Sequence, residues 1–95
     1  MKLLLMVYTG SSPHRVTHVL ETNEVSFTEI DRAHGRGLSG RVEGTRAWPG
    51  ENSLFLSVVP DEKADAVEQG LRALSPVAAP GERLHTAVLP VEHFF

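Results

Sequence analysis

Cysteine is absent from these 95 residues, and its absence removes a disulfide framework, a thiolate nucleophile and every Cys-containing zinc or iron–sulfur site. Histidine and carboxylates are the side-chain metal ligands that remain. A reducing, cytoplasmic setting is the expectation. Long hydrophobic runs are missing too: the apolar opening at 1–8, interrupted by Lys2, is too short for a membrane span and lacks a signal-peptide cleavage pattern, so it reads as a core strand. Aromatic residues are only 6%, with one Trp and one Tyr. Catalytic patterns are lacking as well. No serine lies in GxSxG, no HExxH occurs and no paired-carboxylate pattern appears, so the chain does not read as an enzyme.

What is present, 41% apolar and 22% charged residues, fits one soluble domain spanning 1–95. A chain of this size buries only about 60 to 70% of its unfolded surface, and association with further copies would help it. The net charge of −3 conceals an uneven distribution. Segment 32–50 holds four of the nine basic residues, one of the twelve acids and five of the eight glycines, making it +3 and the remainder −6. A basic, glycine-rich insertion in an acidic body fits a mobile loop with affinity for anions. Loops of more than about 12 to 15 residues are often functional.

Around that loop the periodicities give an element order. Residues 2–9 are apolar on both faces and predict a central strand. Ser12 as N-cap and Pro13 at the first helical position open a helix carrying Val16, Val19 and Leu20, which ends at Asn23. Strands follow at 25–30 and 53–59. Pro60 and Asp61 begin a second helix with the stripe Ala64, Val67, Leu71 and Leu74, and a last strand covers 84–91. The result is β-α-β-β-α-β, an α+β, ferredoxin-like plan with four antiparallel strands and two helices on one face. Two helices cover one face of such a sheet, so the other predicts homo-oligomerisation.

Gly35, Gly37 and Gly40 spell GxGxxG, but 41–50 cannot form the helix that a dinucleotide site needs, and Arg41-Val42 stands where a P-loop has Lys and Ser or Thr. Two readings of the turn remain. Flanked by Arg36, Arg41 and Arg46, it presents backbone N–H groups and guanidinium forks to a phosphate or carboxylate, or it is a solvated loop that touches nothing. Five histidines raise a metal reading. His14 and His18 lie opposite the apolar stripe of the first helix, and His34, His85 and His93 converge only through folding or assembly. Trp48 beside the arginines permits RNA stacking, yet the acidic body and a pI near 5.9 oppose it, so no nucleic-acid partner is expected.

The chain resembles the PII-like signalling proteins. The resemblance runs through the opening Lys2-Leu3-Leu4-Leu5-Met6-Val7, Thr28-Glu29-Ile30 leading to His34-Gly35-Arg36, Thr45-Arg46-Ala47, Val58-Val59-Pro60-Asp61-Glu62 and Val88-Leu89-Pro90-Val91-Glu92. CutA-like proteins share the plan and are the nearest rival. The resemblance implies a homotrimer whose T-loop, here about 32–52, engages a regulated target, a membrane transporter or an enzyme. It also implies intersubunit clefts for a small anionic metabolite, an adenine nucleotide (ADP, ATP or AMP) or bicarbonate. Gly35 and Arg36 stand at the family's Phe-Gly-Arg, with Gly37 following. The family's phosphate-binding Gly-Asp-Gly-Lys falls on Glu82-Arg83-Leu84-His85, where Arg83 replaces the lysine if the register slips by two. No Tyr stands in the loop for uridylylation, and the family's basic tail has no counterpart up to Phe95. A divergent PII-like branch is the placement. The alternative is a trimeric protein of metal binding or metal tolerance that takes a divalent ion through His34, His85 and His93.

Overall fold

A computed structural model of the chain describes residues 1–35, 52–74 and 81–95. Among these, the order is β1 (Lys2–Thr9), α1 (His14–Thr22), β2 (Thr28–Ala33), β3 (Asn52–Val59), α2 (Asp61–Leu74) and β4 (Arg83–Pro90). The strands form one antiparallel sheet in the order β2-β3-β1-β4, which is the ferredoxin-like α+β arrangement. Side chains alternate across a strand, so in β1 Leu4, Met6 and Tyr8 turn towards the helices while Leu3, Leu5 and Val7 turn away. Phe55 and Val59 of β3 join the first set. Val16 and Leu20 of α1 and Ala64, Val67 and Leu71 of α2 close over them, completing one buried core.

The opposite face has no helix among the described residues. Pairing aligns Ile30, Leu54, Val7 and His85 in one row across it, Thr28, Leu56, Leu5 and Ala87 in the next, and Val58, Leu3 and Leu89 beyond. Ile30, Val7 and Leu89 are exposed and Leu3, Leu5, Leu54, Leu56 and Val58 only half-buried, so a broad apolar surface faces outwards.

Two local expectations are corrected. Ser12 does not cap α1: the N-cap position is Pro13, with no side-chain cap bond, and the Ser12 N–H instead donates to the Tyr8 hydroxyl at 2.9 Å. The second strand is displaced towards the C-terminus, from 25–30 to Thr28–Ala33. The reason lies in what Val25, Ser26 and Phe27 do. The Val25 N–H returns to the Leu20 carbonyl, the Ser26 carbonyl accepts from the buried Ser57 hydroxyl at 2.6 Å, and Phe27 stacks at a tilt on Phe55, so these residues finish the helix and pack on the core outside the ladder. The ladder starts at Thr28 and contains a bulge between Ile30 and Ala33, where Arg32 has φ of +60°.

The helices meet at a glycine. A Cβ on Gly70 would lie 2.7 Å from Val19 Cγ1, closer than two carbons approach without displacement. Replacing Gly70 by Ala gains about 1 kcal/mol of helix propensity, but overpacking costs roughly 1–3 kcal/mol. Gly70→Ala is expected to destabilise the protein by about 1 kcal/mol on this balance, and Val19→Ala is expected to absorb the added methyl in the double variant. Urea unfolding of the four proteins in the cycle measures this; independent effects of the two substitutions would contradict the contact.

Candidate functional site

Tyr8 carries the only phenol in the chain and sits at the end of β1 on the helix side, 2% exposed. A buried hydroxyl needs partners. Here it accepts from the Ser12 N–H and donates to the carboxylate of Glu82, the residue immediately before β4. The other oxygen of Glu82 accepts from Arg15 Nη1 of α1 at 2.6 Å, with the Glu82 side chain 7% exposed and that of Arg15 27%. A sheet strand, a helix and the entry to the last strand are thereby tied at one carboxylate. Gly10 makes room for the knot. Its φ is +148°, and a Cβ there would lie 2.6 Å from the Tyr8 hydroxyl and 3.1 Å from Glu82 Cγ.

Beside this network lies a cavity of about 360 Å³ lined by Tyr8, Arg15, Leu74, Glu82, Arg83, Leu84 and His85. Its polar groups are the Tyr8 phenol, the Arg15 guanidinium and the Glu82 carboxylate, while Arg83 and His85 border it along the β4 edge, in register with Thr9 and Val7. Its walls at Leu74 and Leu84 are apolar, a combination that suits a small ligand with a charged end. A guanidinium such as that of Arg15 is the kind of group that binds phosphate, bicarbonate or carboxylate.

Of the residues singled out in the sequence, Arg83 is the first residue of β4 and lines this cavity, as does His85. Gly35 follows β2, and a Cβ there would lie 3.6 Å from Asn52 Nδ2. Arg36, Gly37, Arg41 and Arg46 lie outside the described residues. His34 is exposed just past β2, and His93 is exposed beyond β4. The ladder places Ala33, Asn52, Thr9 and Arg83 in one row across the sheet. Three inter-strand spacings of about 4.8 Å therefore separate the Gly35 edge from the Arg83 edge by roughly 14 Å. His93 stands at the opposite end of the sheet, three residues past Pro90, which pairs with Lys2. No group of three or more metal-ligating side chains forms among the described residues. His14 and His18 are exposed on α1, as their position opposite the apolar stripe predicts.

Tyr8 and Arg15 were not singled out by the sequence, and Glu82 entered only as a position matching the family's phosphate-binding loop. The available signal was the strand alternation, which puts a polar-tipped Tyr8 on the buried side with Leu4 and Met6. Its partner is 74 residues away and has no local signature.

A four-stranded antiparallel sheet, a helix pair on one face and a polar cavity at the β4 edge define a ferredoxin-like α+β protein with a ligand-sized recess. No protein-family model matches the chain, and no curated protein matches it by sequence. Among solved structures, CPII of Thiomonas intermedia K12 bound to ADP and bicarbonate superposes with a TM-score of 0.67 at 18% identity, over 97% of this chain and 88% of that one. CPII bound to ADP, AMP and bicarbonate, a nitrogen regulatory PII-like protein, gives 0.66 at 16% identity over 99% and 94%. A protein of Thermus thermophilus, named for its likeness to PII signalling proteins, gives 0.59 at 21% identity over 92% and 82%. The fold is thus that of the PII-like proteins, as the resemblance in sequence implies.

Burial, and then the hydrogen bond to Glu82, push the Tyr8 phenol above its ordinary value near 10; the Ser12 N–H and Arg15 oppose the rise. A raised folded value means that the stabilising contribution is intact below about pH 10 and is lost as pH rises through the folded value. Because the chain has a single tyrosine, phenolate absorbance follows Tyr8 alone. Its midpoint is expected above 10 in the native protein and lower in Glu82→Gln, with burial still holding it above the free phenol. A native midpoint at or below 10 would exclude the buried hydrogen-bonded phenol.

Proposed function

We propose that this chain is a non-enzymatic regulatory protein of the PII-like kind. It assembles as a homotrimer, holds a small anionic ligand in clefts between subunits and engages a partner protein through the Arg/Gly segment 32–50. The ligand class is an adenine nucleotide or bicarbonate. The observation that carries this reading is the placement of the two candidate ligand edges. Gly35 at the end of β2 and Arg83 at the start of β4 lie at the same end of the sheet but on its opposite edges. One protomer cannot close both on a small ligand. A head-to-tail ring sets the β2 edge of one copy beside the β4 edge of the next, which joins the two halves of the site. The uncovered apolar face supports the same assembly, since a ring that turns these faces inwards removes the exposed leucines and valines from water.

The solved CPII structures bound to ADP, AMP and bicarbonate supply the candidate ligands. In this chain the anion would meet Arg83 at the edge of the β4 cavity. A hydrogen bond to a charged group contributes about 1.5–3 kcal/mol, so Arg83→Ala is expected to weaken binding at least tenfold in calorimetry with ADP, AMP, ATP and bicarbonate. Light scattering is expected to give a trimer for the native chain and a monomer for Leu56→Asp, which places a charge in the middle of the apolar face. A monomeric native protein, or binding of none of these ligands, would refute this reading.

A further inference from the structure

Glu82 is an unexpected residue in a cavity that receives an anion. Its carboxylate is almost wholly buried, and each of its oxygens is held by a different donor, the Tyr8 hydroxyl and Arg15 Nη1. The Tyr8 hydroxyl is itself aimed by the Ser12 N–H. A phenol and a guanidinium converging on one planar O–C–O group make an oxyanion cradle, and an incoming bicarbonate or carboxylate presents that same planar edge. Phosphate presents two oxygens at a similar separation. The donors that would hold such an ion are therefore present, and the chain's own carboxylate is seated on them. Arg83 and His85 border the same recess from the β4 edge, in register with Thr9 and Val7.

The local backbone allows the carboxylate to leave. Glu82 follows Gly81, which has φ of +85°, and it precedes the first residue of β4, so it lies at the mouth of the strand rather than within the ladder. The side chain reaches the knot past Gly10, where no Cβ obstructs rotation. In the exchange the Tyr8 and Arg15 donors pass from one oxyanion to another while Glu82 regains water.

We propose that Glu82 is a tethered competitor, a built-in oxyanion that occupies the Tyr8–Arg15 donor pair in the unliganded chain and is displaced when a small external oxyanion binds there. The proposal rests on the anion-binding reading above and adds its regulation. An occupied cradle lowers apparent affinity by the fraction of molecules in which Glu82 is seated, so seating in about nine-tenths of them raises the ligand concentration at which the protein responds about tenfold. Displacement also unties α1 from the start of β4, which gives ligand binding a mechanical consequence at the end of the sheet where Gly35 stands.

The test is calorimetric titration of the full chain with bicarbonate and, separately, with orthophosphate, for the native protein, Glu82→Gln, Glu82→Asp and the double variant Glu82→Gln/Arg15→Ala. The Gln variant removes the competing charge. The Asp variant keeps the charge but is one methylene too short to serve both donors, and as the milder change it also guards against loss of fold in the first. Both are expected to bind at least tenfold more tightly than the native chain, and Arg15→Ala is expected to abolish the gain. Tightening in Gln but not in Asp would show simple charge repulsion and overturn the proposal. Equal or weaker binding in both, with native binding intact, would make Glu82 a structural tie and leave the anion-binding reading standing. No binding by any of the proteins would remove both.

Discussion

The Glu82 carboxylate is where the architecture and the chemistry of this chain meet. Through it, β1, α1 and the entry to β4 are joined by side chains 67 and 74 residues apart in sequence. Remove it and two donors lose their acceptor: a phenol inside the core and a guanidinium at its edge, each costing about 1–3 kcal/mol when left unsatisfied in a buried site. The positive φ at Gly10, the failure of Ser12 to cap α1 and the shape of the cavity wall all follow from accommodating this knot. The recess is polar because the knot is polar.

The second governing constraint is one of layers. A helix pair covers one face of a four-stranded sheet, and this sheet is apolar on both faces. The helix side is satisfied within the chain by Phe55, Leu4, Met6, Leu20 and Val67, all fully buried. The other side carries Leu3, Leu5, Leu54 and Leu56 in paired rows and has no helix over it among the described residues. Strand order adds a directional requirement, since the two edges at the loop end are unlike. One carries Gly35 and the other carries Arg83. In the proposed head-to-tail assembly each copy would contribute one half of a shared recess.

Most of the frame was legible in the sequence because it is written in local periodicities. The first and third strands, both helices and the last strand fall within a residue or two of their expected places, and the uncovered face was foreseen from the apolar residues on both sides of strands one and three. The second strand was misplaced for a definite reason. Val25 and Phe27 are apolar because they pack on Phe55 and the end of α1, and packing without ladder pairing looks identical to a strand in the hydrophobic pattern. The site was less legible. Arg83 and His85 were named, from family resemblance and from residue type, and they do line the recess. Tyr8 and Arg15 escaped, and Glu82 entered only as a position matching the family's phosphate-binding loop, because their significance is relational: a lone tyrosine in a strand, an arginine on a helix and a glutamate after a glycine become a site only when distant segments meet.

The bulge in β2 has a consequence for how the chain leaves the sheet. In a regular ladder, with Ile30 opposite Leu54, the partner of Asn52 would be Arg32; here it is Ala33. One extra residue shifts the odd–even parity of everything beyond it. His34 and Gly35 therefore depart half a turn away from the facing direction that the apolar pattern of the strand would assign them. Arg32, with φ of +60°, lies within this irregularity. Removing a single residue there would return His34 and Gly35 to the parity of the regular ladder.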